Sequence, residues 1–137
     1  MISSGIPGLL AGLVLCMAVT PVQTGTEVLE NPCLLLIDIQ NFYFPGGRME
    51  LVDPEEACAN ARALLLRFRK SKHLVVHVRH NFEPGGEIHP SVAPAPGEKV
   101  ISKDHANAFK DTDLLTYLKD HGIRTLVVCG MQTHMCV

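Results

Sequence analysis

The chain has no C-x-x-C pair and no His/Cys pairing of the zinc type, so the five cysteines at 16, 33, 58, 129 and 136 do not read as a structural metal site. It also lacks a basic stripe interleaved with aromatics. With 12 Lys and Arg against 14 Asp and Glu, the formal charge is −2, and nucleic acid is not an expected partner. No internal repeat or low-complexity tract stands out. At 47% hydrophobic residues the composition is that of an ordinary cored domain rather than a disulfide scaffold. Cys33, Cys58 and Cys129 are therefore expected as small buried hydrophobes. At 137 residues there is room for one domain at most.

Charge is also missing from the start of the chain, where no acidic or basic residue precedes Glu27. "IPGLLAGLVLCMAVT" (6–20) is apolar, too short to span a bilayer comfortably, and followed by small residues in the manner of a signal-peptide core. The absence of Lys or Arg ahead of it argues against that reading, and an N-terminal helix or a start assigned too early is the alternative. On the signal-peptide reading, residues 1–26 are a leader with its flank and the mature chain is periplasmic or secreted, with no membrane partner once the leader is removed. Otherwise the protein is cytoplasmic.

What is present begins at residue 33, where strands and helices alternate. "CLLLIDI" (33–39) is a short continuous apolar run, as suits a parallel strand buried on both faces. "DPEEACANARALLLRFRKSK" (53–72) predicts a helix, with Asp53 as N-cap, Pro54 at the first position, Glu56 at the third and basic residues in the last turn. "HLVVHV" (73–78), "KVISK" (99–103) and "TLVVCG" (125–130) read as further strands. Residues 81–98 are rich in Pro and Gly and read as loop, while 111–122 reads as a helix closed by Gly122. The alternation predicts an α/β fold, three layers with a mostly parallel sheet, in which ligands bind beyond the carboxyl ends of the strands.

Polar residues at those ends are the candidates for chemistry. Asp38 closes the first strand, Lys103 the third, and Cys136 follows the fourth by a turn. Singly these read as a capping carboxylate, a solvated lysine and a buried thiol. Together they make a base, an ammonium and a nucleophile.

Three blocks, "LLLIDIQNFYFPGG" (34–47), "KDHANAF" (103–109) and "GIRTLVVCGMQTHMCV" (122–137), resemble the isochorismatase-like cysteine hydrolase family over about residues 33–137. The resemblance implies Cys136 as nucleophile, Asp38 as the base that takes its proton, and Lys103 holding both charges and helping to depress the thiol pKa. It implies an oxyanion hole from the backbone N–H groups of Gln132 and Cys136, with a non-proline cis peptide at Met131–Gln132. The reaction implied is cleavage of a C–N bond in a small amide, ureide or carbamoyl compound through a thioester.

Some features depart from the family pattern. No Asp-x-His pair precedes the first helix, and His80 and His89 lack partner carboxylates at ligand spacing, so neither a metal nor a cofactor is expected. Tyr43 stands where the family usually has Phe, and with Phe42, Phe44, Arg79, Phe82 and His105 it is a candidate for the substrate pocket. Arg79 could bind a carboxylate or simply face water. The family continues past the Cys with a helix and further strands, so a C-terminally incomplete domain is expected. The resemblance implies a small-molecule substrate and a homo-oligomer. The alternative is a non-catalytic chain that associates with a partner subunit.

Overall fold

The structure is a computed structural model that describes residues 28–137, so the leader expected over 1–26 and Cys16 lie outside the described residues. The elements run β1 (Pro32–Ile37), α1 (Pro54–Lys70), β2 (Leu74–His80), β3 (Lys99–Lys103), α2 (Leu114–Asp120) and β4 (Thr125–Gly130). All strand pairs are parallel and the sheet order is β3-β2-β1-β4. All six residues of β1 are buried. That is why its sequence is a continuous apolar run rather than an alternating one.

The two faces of the sheet bury different sets. Leu34, Leu36 and Val75 pack with Cys58, Ala61 and Leu65 of α1. Cys33, Leu35, Ile37, Val76, Val78 and Ile101 pack with Leu114 and Leu118 of α2. This is the expected three-layer α/β/α arrangement. On β4, which among the described residues pairs only with β1, Leu126 and Val128 remain 38% and 41% exposed. Among the described residues no helix is long and apolar enough to cross a membrane.

Local differences from the expected elements have identifiable causes. Asp53 sits at the N-cap position of α1 but in the left-handed region (φ 50°), and its side chain caps nothing. Capping requires an extended N-cap residue, which aims the carboxylate at the second or third amide of the helix. The helix is instead supported by Glu55 and Glu56 in its first turn and Arg67, Arg69 and Lys70 in its last. The second helix begins at Leu114, not 111, because Asp111 is left-handed (φ 55°) and the Thr112 hydroxyl donates back to the Ala108 carbonyl at 2.7 Å. It ends as expected, with Gly122 at φ 62°.

Where the last turn of α1 meets the start of β3, a half-buried polar cluster joins three elements. Glu98 accepts from Arg69 Nε and Nη2 at 2.7 Å each, and from His77 Nε2 and the Ala95 amide at 2.8 Å each. Burial raises the Glu98 pKa, but those donors outweigh it and hold the carboxyl at about 2. For His77, 1% exposed, burial lowers the pKa and Glu98 opposes.

Candidate active site

The strand order reverses at β1, since β2 and β3 lie on one side of it and β4 on the other. A crevice beyond the carboxyl ends of the strands is the usual consequence of such a switch. The chain leaves β1 at Asp38, which turns into the left-handed region (φ 52°) and donates its amide to the Val78 carbonyl at 2.9 Å. It leaves β4 at Gly130, where any Cβ would collide with the Ile37 carbonyl. This close approach lets the Met131 amide reach Ile37 O at 2.9 Å and ties the two strand exits together. The Met131–Gln132 peptide bond is cis.

Asp38 and Lys103 are both 1% exposed, so the reading of Lys103 as a solvated surface lysine does not hold. Its Nζ lies 2.7 Å from Asp38 Oδ2 and donates to the His105 carbonyl at 3.1 Å. The approach to Asp38 is an ion pair in distance but off the hydrogen-bond axis, and neither Asp38 oxygen accepts a hydrogen bond among the described residues. A buried ammonium is tolerated only beside such a carboxylate.

Cys136 occupies the turn after β4. The amides of Met135, Cys136 and Val137 all donate to the Gln132 carbonyl, at 3.1, 3.0 and 3.3 Å. Burial pushes the thiol pKa above its ordinary value, the adjacent Asp38 carboxylate pushes it further, and Lys103 opposes. A depressed thiol pKa was expected from Lys103. The geometry gives the reverse, because Lys103 is paired with Asp38 and the carboxylate stands beside the sulfur. The resting thiol keeps its proton next to a carboxylate with an unpartnered oxygen. Such a pair can pass a proton from the thiol to the carboxylate.

A cavity of about 220 Å³ opens here, walled by Phe42, Tyr43, Phe82, His80, Asp38 and Cys136, with Met49, Ala106 and Met135 completing it. The other three pocket candidates lie elsewhere. Alternation along β2 turns Arg79 to the α1 face of the sheet, with Val75 and His77. Phe44 stacks on His89 with ring centroids 3.8 Å apart. The His105 ring faces outward and meets Asp111 at 3.1 Å, leaving only its carbonyl near Lys103.

His80 is a wall of the cavity that the sequence reading missed. The signal lay in the strand length: β2 continues two residues past 78, which puts His80 on the same side as Val76 and Val78. Its position is fixed by Gln40, which is fully buried. Gln40 Oε1 accepts from the His80 amide at 2.7 Å, and Nε2 donates to the carbonyls of His80 (2.9 Å) and Gly86 (2.6 Å). One side chain thus pins the exits of β1 and β2 to the Gly-rich loop. Among the described residues no group of three His, Cys, Asp or Glu side chains is placed to hold a metal ion.

Comparison with known proteins agrees with this fold. The isochorismatase domain matches residues 32–137. An uncharacterized isochorismatase family protein of Bacillus subtilis is 48% identical over 115 residues, 76% of this chain and 64% of its own length. The maleamate amidohydrolase of Pseudomonas putida is 32% identical over 79% of this chain and 62% of its own. A crystal structure from Oleispira antarctica, assigned to the isochorismatase hydrolases, superposes with a TM-score of 0.73 at 44% identity, covering 80% of this chain and 65% of that one. The chain thus spans somewhat under two thirds of the length of these relatives. It shares with them the parallel sheet on whose strand ends Asp38, Lys103 and Cys136 stand, and it belongs to the isochorismatase family.

Proposed function

We propose that this chain carries the nucleophile, base and charge partner of a metal-independent cysteine hydrolase that cleaves the C–N bond of a small amide, ureide or carbamoyl compound. One observation carries the reading: a protonated thiol and a buried carboxylate without a hydrogen-bond partner line one small cavity, and a buried ammonium stands against that carboxylate. The relatives whose names specify an amide substrate support the reaction class.

In this reading Asp38 takes the Cys136 proton as the sulfur attacks the carbonyl carbon. The tetrahedral oxyanion collapses, the C–N bond breaks, and Asp38 returns the proton to the departing nitrogen. Water then attacks the thioester, giving its proton to Asp38, and the acid leaves with the thiol restored. Lys103 stays charged throughout and balances the carboxylate. The aromatic and methionine walls exclude water around the reacting carbonyl, which strengthens each electrostatic contact there.

The test is a panel of small amides and ureides offered to the full chain, with intact-mass detection of an acyl adduct on Cys136. Turnover that falls more than about a thousandfold in Cys136→Ala, with the adduct lost, is the expected result. Hydrolysis that survives Cys136→Ala would overturn it.

A further inference from the structure

Arg69, His77 and Glu98 come from the last turn of α1, from β2 and from the loop before β3, and the proposed reaction uses none of them. Their geometry decides which hydrogen His77 carries. Glu98, held at about 2, is an ionised carboxylate at neutral pH and can only accept. His77 Nε2, 2.8 Å from Glu98 Oε2, therefore carries the hydrogen of the neutral ring. That leaves Nδ1 as a bare lone pair, buried and with no hydrogen-bond partner among the described residues.

A further proton on His77 has to enter at Nδ1, where no acceptor meets it. The charges around the ring already balance without it. Glu98 faces Arg69 through both oxygens at 2.7 Å, so a charged imidazole sets two cations against one carboxylate. Arg79 adds a third positive group, two residues on along β2 and on the same face of the sheet. The neighbouring strands bring no charge, since β1 places Leu36 and β3 places Val100 beside His77. Burial, the largest influence, lowers the His77 pKa below its ordinary value; Glu98 opposes, and Arg69 adds to the lowering. The same cluster ties down the loop, because Glu98 also accepts from the Ala95 amide at 2.8 Å and Arg69 donates to the Ala93 carbonyl at 2.9 Å.

We infer that His77 is the acid-sensitive element of a latch in which Glu98 and Arg69 hold residues 93–98 against α1 and β2. With a neutral ring the latch stays closed. In acid, a proton reaches Nδ1 only when the loop lifts and admits water, so proton uptake and opening go together. The opened loop takes the proton near 6.5, whereas the closed cluster resists it. Opening therefore gains up to about tenfold in population for each pH unit below that value, until the closed form protonates as well. Glu98 does not share this transition, since it stays ionised until about 2. The latch does not depend on Cys136 being a nucleophile.

The experiment is hydrogen exchange of the Ala95 amide in the full chain between about pH 7.5 and about pH 5, with each rate divided by the intrinsic rate at that pH. Protection is expected to fall by up to about tenfold per pH unit in the wild-type chain. It should stay level in His77→Gln, which keeps an N–H for Glu98 but takes up no proton. Level protection in the wild-type chain overturns the inference, and so does a slope that survives His77→Gln. A slope abolished by His89→Gln also overturns it, because the sensor would then be the ring that caps Pro90–Val92. Protection that rises in acid has the same force, since Glu98 would then favour the imidazolium more than burial opposes it. If His77→Gln does not fold, the ring proton shifts of wild-type His77 decide: a folded ring that stays neutral below its ordinary value supports the latch, and one that titrates at or above that value overturns it.

Discussion

Two carboxylates sit at opposite ends of this sheet, Asp38 buried and Glu98 half-buried, and they are treated in opposite ways. Glu98, at the amino ends of the strands, receives four hydrogen bonds from Arg69, His77 and Ala95. Asp38, at the carboxyl ends, has one charged neighbour and an oxygen with no partner. A low-dielectric interior makes an unsatisfied group costly, so the saturated cluster is what a fold favours when only stability counts. The unsatisfied carboxylate at Asp38 is tolerated where a thiol and a cavity adjoin it. The difference separates a cluster that holds α1 to the sheet from one that is left open for a proton.

Substitutions at three positions press on that contrast. The largest effect is expected at Lys103, because its removal leaves a buried carboxylate without compensation. Lys103→Ala is expected to lower unfolding stability by about 3–5 kcal/mol, read from urea midpoints. The double variant Asp38→Asn/Lys103→Met should lose less than the two single changes summed. Additive losses would mean the pair is not coupled.

A smaller effect concerns the thiol. Asp38 is one of the groups that raise the Cys136 pKa and Lys103 opposes it, so Asp38→Asn should shift the alkylation rate-against-pH curve downward in pH. An unmoved curve would place the carboxylate away from the sulfur.

The smallest effect is at the far end of the sheet. Unfolded Glu98 takes a proton near its ordinary value of 4.5, whereas the folded group resists until about 2. Its contribution to stability is therefore present above about pH 4.5 and lost as pH falls toward 2. Glu98→Gln should flatten acid unfolding in that window while leaving Cys136 alkylation untouched. An altered thiol rate in this variant would show that the two ends are not independent.

The legible parts of this molecule were those written in local pattern. Apolar runs bounded by turn residues located all four strands, and the alternation of strand and helix implied the parallel three-layer fold. Asp38, Lys103 and Cys136 could be picked out because each stands where a strand stops. What failed depended on backbone twists and strand parity. A left-handed Asp53 leaves its helix uncapped, and a left-handed Asp111 delays the next helix to Leu114. Reading β2 as ending at 78 hid His80. Neglecting the alternation of the strand put Arg79 in a pocket it faces away from. The burial of Lys103 could not be read locally at all, since nothing in "KVISK" shows that Asp38 lies 2.7 Å from its ammonium.

The pairing of Lys103 with Asp38 also limits what inactivation can teach. The same two charges assigned to the proposed reaction fill the interior between strand ends, and Lys103 is among the largest fully buried side chains. Variants at either position sample folding and chemistry at once, so a dead enzyme alone cannot identify the base. Under selection, a chain that drifts away from hydrolysis cannot discard this pair one member at a time. Both residues can therefore outlast the activity proposed for them, and their presence in a relative is a weaker sign of a working enzyme than the cysteine beside them.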